Sequence, residues 1–370
     1  MKTIGVLTSS RADYGIYLPL LQRLSESQNY ELELIVFGTH LSANHGHTLD
    51  EIERDGFDVK YKIDSLLEDD TPHGIASSMA KTMACFSDFW GSNGDGFDLV
   101  FALVDRFEMF SAVYASTAFG IRVAHIHGGE TTLGAIDNIF RHAISHASDI
   151  HFVSTDSYAN KVAELTGSDQ IYNSGALSLD GIEHMQLLDK TRMLELWKID
   201  FDIPTILITV NPETKSFEKN SEYSLVFSST LEELSKHYQL VITMPNADTN
   251  GSLYRKAFQN LALKYPKRFV LVENFGRQSY FSAMKWSRLL LGNTSSGIIE
   301  AASFGKYVID LGDRQKGRMT SKNTFNVAFD KGQIIPLVED LLERGVYEGE
   351  NVYFQESPSL KIMKVLDQLL

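Results

Sequence analysis

Within the 18 residues from His125 to His142 lie three histidines (His125, His127, His142), two carboxylates (Glu130, Asp137) and Arg141. A connection between two elements does not need that much titratable chemistry. Imidazole and carboxylate together suit proton transfer near neutral pH, and a guanidinium suits an anion. The stretch opens His125-Ile-His-Gly-Gly-Glu130, where Gly128-Gly129 would let backbone approach a ligand closely. Two other readings of these residues stand beside this one. One is a polar loop running into a capped helix. The other is a zinc site of His125, His127, Glu130 and His142, since residues at i and i+2 of a strand share a face.

Further candidates sit where strands end. Thr8-Ser-Ser-Arg-Ala-Asp-Tyr-Gly15 leads into a helix, so Arg11 and the free amides would meet an anion there; an ordinary Ser/Asp cap uses the same residues. Asp105 and Arg106 follow the strand 99–103, either as a carboxylate facing a cleft or as a helix cap paired with Arg106. Leu289-Leu-Leu-Gly-Asn-Thr-Ser-Ser-Gly-Ile-Ile-Glu300 reads as strand, small-residue loop and helix start. There, free amides, the helix dipole and the hydroxyls of Thr294, Ser295 and Ser296 favour phosphate, and Glu300 is placed for ribose hydroxyls. A doubly capped helix is the bland alternative. Arg314, Lys316 and Arg318 then put three cations within five positions, a pattern suited to phosphate. Met244 to Gly251 is a further polar loop after a strand, or simply a turn.

The elements that must position these groups alternate. Strands are expected at 3–7, 31–37, 59–63, 99–103, 121–126, 150–153 and 170–173, with helices at 16–24, 74–90, 107–118, 137–147, 156–165 and 185–197. A second series has strands at 204–210, 239–243, 268–272, 288–291 and 307–311, and an amphipathic helix is expected at 359–370. Alternation of this kind predicts two α/β domains with parallel, doubly wound sheets and substrate in the cleft between them. The expected division is 1–177 and 178–358, with helix 359–370 packing back on the first domain.

At 370 residues the chain is long enough for two cores, and 43% hydrophobic with 22% charged residues is an ordinary globular balance. A formal charge of -14 disfavours nucleic acid and anionic membrane as partners. Cys85 is the only cysteine, so neither a disulfide nor a thiolate metal cluster is expected. No apolar run approaches the ~18 residues of a membrane helix, and MKTIGVLTSS reads as a first strand, not a signal peptide. A cytoplasmic protein is expected. Neither a dinucleotide G-x-G-x-x-G, a P-loop, HExxH nor G-x-S-x-G occurs at these sites.

Taken together, Arg11-Ala-Asp-Tyr, Asp105-Arg-Phe-Glu, His-Ile-His-Gly-Gly-Glu130, Ile136-Asp with Arg141-His142, Gly292-Asn-Thr-Ser and Gly312-Asp-Arg-Gln-Lys-Gly-Arg318 resemble the hydrolysing UDP-sugar 2-epimerases. The resemblance runs through nearly the whole chain in one order. It implies two Rossmann-like domains in the glycosyltransferase-B arrangement, with UDP held mainly by the second. It also implies removal of the C2 proton, anti elimination of UDP to a glycal, and hydration with inverted C2, without nicotinamide or metal. Asp105, His127, Glu130 and Asp137 are then the expected catalytic residues, and Arg11, Arg106, Arg141, His142 and Asn211 the expected substrate-binding ones. Thr294, Ser295, Ser296, Glu300 and Arg314 are expected to bind UDP, and a homodimer or homotetramer is expected.

Two positions depart from the members that act on UDP-N-acetylglucosamine, which carry Glu at His127 and His at Asn211. The form found here is similar to the branch acting on UDP-N,N′-diacetylbacillosamine in legionaminic acid synthesis. The UDP-N-acetylglucosamine enzyme of sialic acid synthesis and a sugar transferase of the same fold are the alternatives.

Overall fold

The computed structural model describes residues 1–103, 105–245 and 250–370, so part of the polar loop 244–251 lies outside the described residues. Among them the chain forms two compact units. Unit 1 comprises Met1–Glu130, Asp137–Ile182 and Tyr353–Leu370; unit 2 comprises Thr131–Ile136 and Glu183–Val352. The division falls at 182/183, beyond the expected 177/178. The six residues 131–136, read from sequence as part of the first domain, belong to the second.

Unit 1 is built on seven parallel strands: β1 (Lys2–Thr8), β2 (Tyr30–Phe37), β3 (Tyr61–Ile63), β4 (Leu99–Leu103), β5 (Val123–Ile126), β6 (Ile150–Val153) and β7 (Ile171–Asn173). Their order is β3-β2-β1-β4-β5-β6-β7, with Ile4 beside Leu99 and Ala102 beside His125. A run such as Leu-Val-Phe-Ala-Leu in β4 is buried throughout because both faces of a parallel sheet are covered. One face packs on helix Arg11–Glu26 and the C-terminal helix Pro358–Leu369 through Tyr17, Leu21, Ile362 and Leu366. The other packs on helices Pro72–Asn93 and Phe107–Ser116 through Phe86, Trp90, Met109 and Val113.

Three polar contacts hold the returning C-terminal helix: Arg23 Nε to Ser359 Oγ at 2.6 Å, Tyr30 OH to Asp367 Oδ1 at 2.8 Å, and Ser359 N to Asp180 Oδ2 at 2.6 Å.

Unit 2 has six parallel strands: β8 (Thr205–Thr209), β9 (Gln239–Thr243), β10 (Phe269–Val272), β11 (Leu289–Gly292), β12 (Val308–Leu311) and β13 (Thr324–Val327), in the order β10-β9-β8-β11-β12-β13. In each sheet the strand order reverses once, between β1 and β4 and between β8 and β11. Ligands of doubly wound sheets bind beyond the carboxyl ends of strands at such a reversal. The loops after β1, β4, β8 and β11 carry Arg11, Asp105, Asn211 and Thr294.

Several boundaries differ from expectation. The first helix begins at Arg11, not 16, because Asp13 caps its polar first turn, accepting from Ser10 N at 2.9 Å. The charged helix expected at 185–197 covers Lys190–Trp197 only. β13, a half-exposed Thr-Phe-Asn-Val at the sheet edge, has no apolar run to announce it.

Candidate active site

In unit 1 the chain turns sharply as it leaves β5. His127 has φ +65° and Gly129 φ +80°, so the turn places a bulky residue in a region that side chains seldom adopt. The turn is held because His127 N donates to Phe152 O at 2.8 Å, and its ring Nδ1 meets Glu130 Oε1 at 2.7 Å. Leu177 N–H points at Nε2 at 3.4 Å, which places the proton of the neutral ring on Nδ1, facing Glu130. Ser154 Oγ also donates to Glu130 Oε1, at 3.0 Å. His127 and Glu130 therefore form a buried, mutually oriented pair.

The glycines were expected to admit a ligand. A Cβ on Gly129 would lie 2.6 Å from Tyr158 O, and one on Gly128 would lie 3.0 Å from Ser145 Oγ. They are needed for packing of the turn against its own unit.

The same unit brings Asp105 and Arg141 together. Arg141 NH2 donates to Asp105 Oδ2, and NH1 donates to the carbonyl of Glu130 at 2.8 Å. Arg141 is buried, so its charge is balanced inside the unit. The sequence alternative that paired Asp105 with Arg106 is replaced. Arg106 makes a bidentate pair with buried Glu108, Nε to Oε2 at 3.2 Å and NH2 to Oε1 at 3.0 Å. Asp137 is the first residue of helix Asp137–His146 and stays partly exposed, where the helix N-terminus favours a carboxylate. Arg11 likewise starts its helix, partly exposed.

Sequence reading missed the network under Arg11. Asp13 is buried and accepts from Thr8 Oγ1 at 2.9 Å and from Ser9 N and Ser9 Oγ at 2.8 Å each, with His40 Nε2 at 3.8 Å. Burial opposes its ionisation, yet His40 and the Ser9 donors prevail and hold its pKa below the usual carboxylate value. The acidic residue of Arg-Ala-Asp-Tyr thus builds the loop on which Arg11 sits.

His125, buried, shares a hydrogen bond with Ser145 Oγ at 3.0 Å through Nδ1. It and His127 engage different partners, because β5 ends at Ile126 and the strand periodicity does not extend to His127. Among the described residues no group of three or more His, Cys, Asp or Glu is arranged to hold a metal ion.

His151 lies beside His125 in register, is 0% exposed, and neither ring nitrogen has a hydrogen-bond partner among the described residues. Burial chiefly, with a contribution from His146 and against Asp149, pushes its pKa down to about 4. His142 is also lowered to about 4, first by burial and then by Lys161, Arg141 and His146. The unfolded chain titrates these rings near 6.5 and so binds more protons between the two values. Their contribution to stability is complete above about pH 6.5 and is lost as the pH falls towards 4. For His151 alone the loss between pH 7 and pH 5 is about 2 kcal/mol. In urea unfolding, His151→Leu should lose less stability than the parent between those two pH values; equal losses would refute a neutral buried ring.

In unit 2, the loops after β8 and β11 are bolted together. Asn211 N donates to Asn293 Oδ1 at 2.7 Å, and Asn293 Nδ2 donates to Asn211 O at 2.8 Å. Gln315 Nε2 donates to Asn293 O at 2.8 Å. Thr294 caps the next helix by accepting from Ser296 N at 3.4 Å. That helix, Ser295–Ile299, has five residues, so it sums few peptide dipoles. Any pull on an anion there rests on the local amides of Ser295, Ser296 and Gly297 and on the hydroxyls. Glu300 is buried at its end.

The cationic loop comes with carboxylates that the sequence did not associate with it. Arg314 is buried and donates through NH1 to Pro212 O, while Glu213 Oε1 accepts from Asp313 N at 2.7 Å. Lys316 is exposed and pairs with Asp313 at 3.3 Å. Arg318 is buried near Asp310, whose pKa burial raises to about 7 against the opposing pull of Asn326 and Arg318. Burial likewise raises Glu213. Arg314 is thus held in place by a carbonyl before any ligand arrives.

A GDP/UDP-N,N′-diacetylbacillosamine 2-epimerase (hydrolyzing) of Campylobacter jejuni is 33% identical over 323 residues, covering 87% of this chain and 83% of that protein. The polysialic acid biosynthesis protein P7 of Escherichia coli is 29% identical over 377 residues, covering 100% of this chain and 95% of that one. The crystal structure of UDP-GlcNAc 2-epimerase from Neisseria meningitidis bound to UDP-GlcNAc matches in fold with a TM-score of 0.80 at 20% identity, covering 100% of both chains. Among the described residues no helix is long and apolar enough to cross a membrane. Residues 22–367 match the family model described as UDP-N-acetylglucosamine 2-epimerase. The chain belongs to the UDP-N-acetylglucosamine 2-epimerase family, as a UDP-sugar 2-epimerase of the hydrolysing kind.

Proposed function

We propose that the enzyme converts UDP-N,N′-diacetylbacillosamine and water to 2,4-diacetamido-2,4,6-trideoxymannose and UDP, a step towards legionaminic acid. Similarity over 87% of the chain to a diacetylbacillosamine 2-epimerase carries this reading. His127 and Asn211, which replace the Glu and His of the UDP-N-acetylglucosamine branch, support it.

The reaction is redox-neutral. A base takes the C2 proton, the C1–O bond to UDP breaks anti to it, and a glycal forms. Water then adds its oxygen at C1 while a proton returns to C2 on the opposite face. Asp137, partly exposed at a helix start, suits the proton transfer at C2. The buried pair His127–Glu130 suits holding or relaying a proton, and Asp105 with Arg141 suits fixing the loop that carries them. Arg314, the amides and hydroxyls of Thr294 to Ser296, and Glu300 suit the nucleotide.

Diacetylbacillosamine carries an acetamido group at C4 and no hydroxyl at C6. A pocket built to hydrogen-bond that hydroxyl would reject the sugar, whereas a less polar one discriminates weakly against its return. In parallel assays, kcat/KM for the diacetamido substrate should exceed that for UDP-N-acetylglucosamine by at least ~10-fold, about 1.4 kcal/mol of transition-state binding. In D2O the product should carry deuterium at C2, and free sugar should appear without an acceptor, as no sugar transferase would give. Equal or reversed preference would favour the UDP-N-acetylglucosamine reaction, the second reading supported by likeness to the polysialic acid protein. The GDP-linked sugar belongs in the same assay, because the Campylobacter relative is named for both nucleotides.

A further inference from the structure

The segment Thr131–Ile136 belongs to unit 2, although Glu130 before it and Asp137 after it belong to unit 1. Two of its apolar side chains stay partly in solvent, Leu133 at 46% and Ile136 at 39% exposed. Main-chain contacts anchor it on the two loops described above. Leu133 N donates to Lys316 O at 2.8 Å, Ile136 N donates to Thr214 Oγ1 at 2.9 Å, and Lys215 N donates to Gly134 O at 3.4 Å. Gly134 lies flush on the cationic loop: a Cβ there would stand 2.2 Å from Asp313 O and 2.8 Å from Arg314 N. Those atoms are backbone and cannot swing aside. The segment is therefore stapled between residues 212–215 and 312–318, and the staple at Thr214 holds the amide immediately before Asp137.

We propose that Thr214 and Gly134 are positioning residues for Asp137. They fix the peptide that leads into its helix, and they tie that peptide to the loop that bears Arg314. The proposal rests on Asp137 acting in proton transfer. Neither residue need touch substrate. A catalytic group displaced by about 1 Å loses up to ~10²-fold in rate, so losing one staple is a measurable event.

The test compares Thr214→Val, which keeps shape but removes the acceptor, with Thr214→Ser, which keeps it, and with Gly134→Ala. Each is assayed for kcat, KM and UDP affinity, and Thr214→Val is also placed on Asp137→Asn. We expect Thr214→Val to lower kcat about 10-fold or more, with UDP affinity and thermal midpoint close to the parent, and Gly134→Ala, which must push the segment off the cationic loop, to lower kcat at least as far. Thr214→Ser should restore the rate, and Thr214→Val should cost nothing further in the Asp137→Asn background. Full kcat in both Thr214→Val and Gly134→Ala would overturn the proposal. So would an equal loss with and without Asp137, which would leave the role of Asp137 itself standing. Parent-like turnover by Asp137→Asn alone would instead remove the reading on which the proposal rests.

Discussion

Asp137→Asn is expected to lower kcat on the order of 10²-fold or more, because acid–base assistance of this kind contributes 10²–10⁴-fold. The substitution is nearly isosteric and keeps a polar acceptor at the start of helix Asp137–His146, so the local fold should persist. UDP affinity should hardly change, since the groups proposed for the nucleotide lie in unit 2. Deuterium exchange locates the defect. If Asp137 removes the C2 proton, turnover and exchange at C2 fall together. If it serves only the hydration step, glycal accumulates. Parent-like kcat would refute the assignment.

The fold was legible where parallel strands are buried on both faces, as in Leu99–Leu103 and Leu289–Gly292, whose side chains are all buried. It was less legible where a polar group does the work of an apolar one. The start of the first helix depends on the carboxylate of Asp13, and β13 is a half-exposed edge strand with little apolar content. The excursion of 131–136 into unit 2 leaves no compositional trace: Thr-Thr-Leu-Gly-Ala-Ile looks like any loop, and its anchors, the Thr214 hydroxyl and two backbone atoms, lie 78 to 183 positions away.

The same contrast divides the candidate site. Residue types at strand ends pointed to Asp105, His127, Asp137 and Arg314 as chemically interesting. Partnership was not readable. Arg141 lies 36 residues from Asp105, and only parallel pairing of β4 with β5 brings their segments together. Arg106, adjacent to Asp105 in the chain, pairs with Glu108 instead. Asn293 entered the sequence reading only as a member of the Gly292-Asn-Thr-Ser motif, with no role assigned, yet it joins the ends of β8 and β11.

Arg314→Ala is expected to weaken UDP binding by about 2–4 kcal/mol, roughly 30- to 1,000-fold, by removing a charge-assisted contact and leaving phosphate charge unmatched. Because Arg314 also donates to Pro212 O, its loss loosens the loop as well, and loosening alone would weaken any ligand of unit 2. Uridine separates the two effects, since it lacks the diphosphate. Calorimetry should show UDP weakened far more than uridine if the guanidinium meets phosphate, and both weakened equally if Arg314 only braces the loop. Arg314→Lys keeps the charge without the planar fork, so its UDP affinity should fall between parent and alanine. Unchanged UDP affinity in the alanine variant would move the phosphate site away from this loop. Lys316, exposed and already paired with Asp313, would then be a poor substitute, and the amides at Ser295 and Ser296 would have to hold the diphosphate instead.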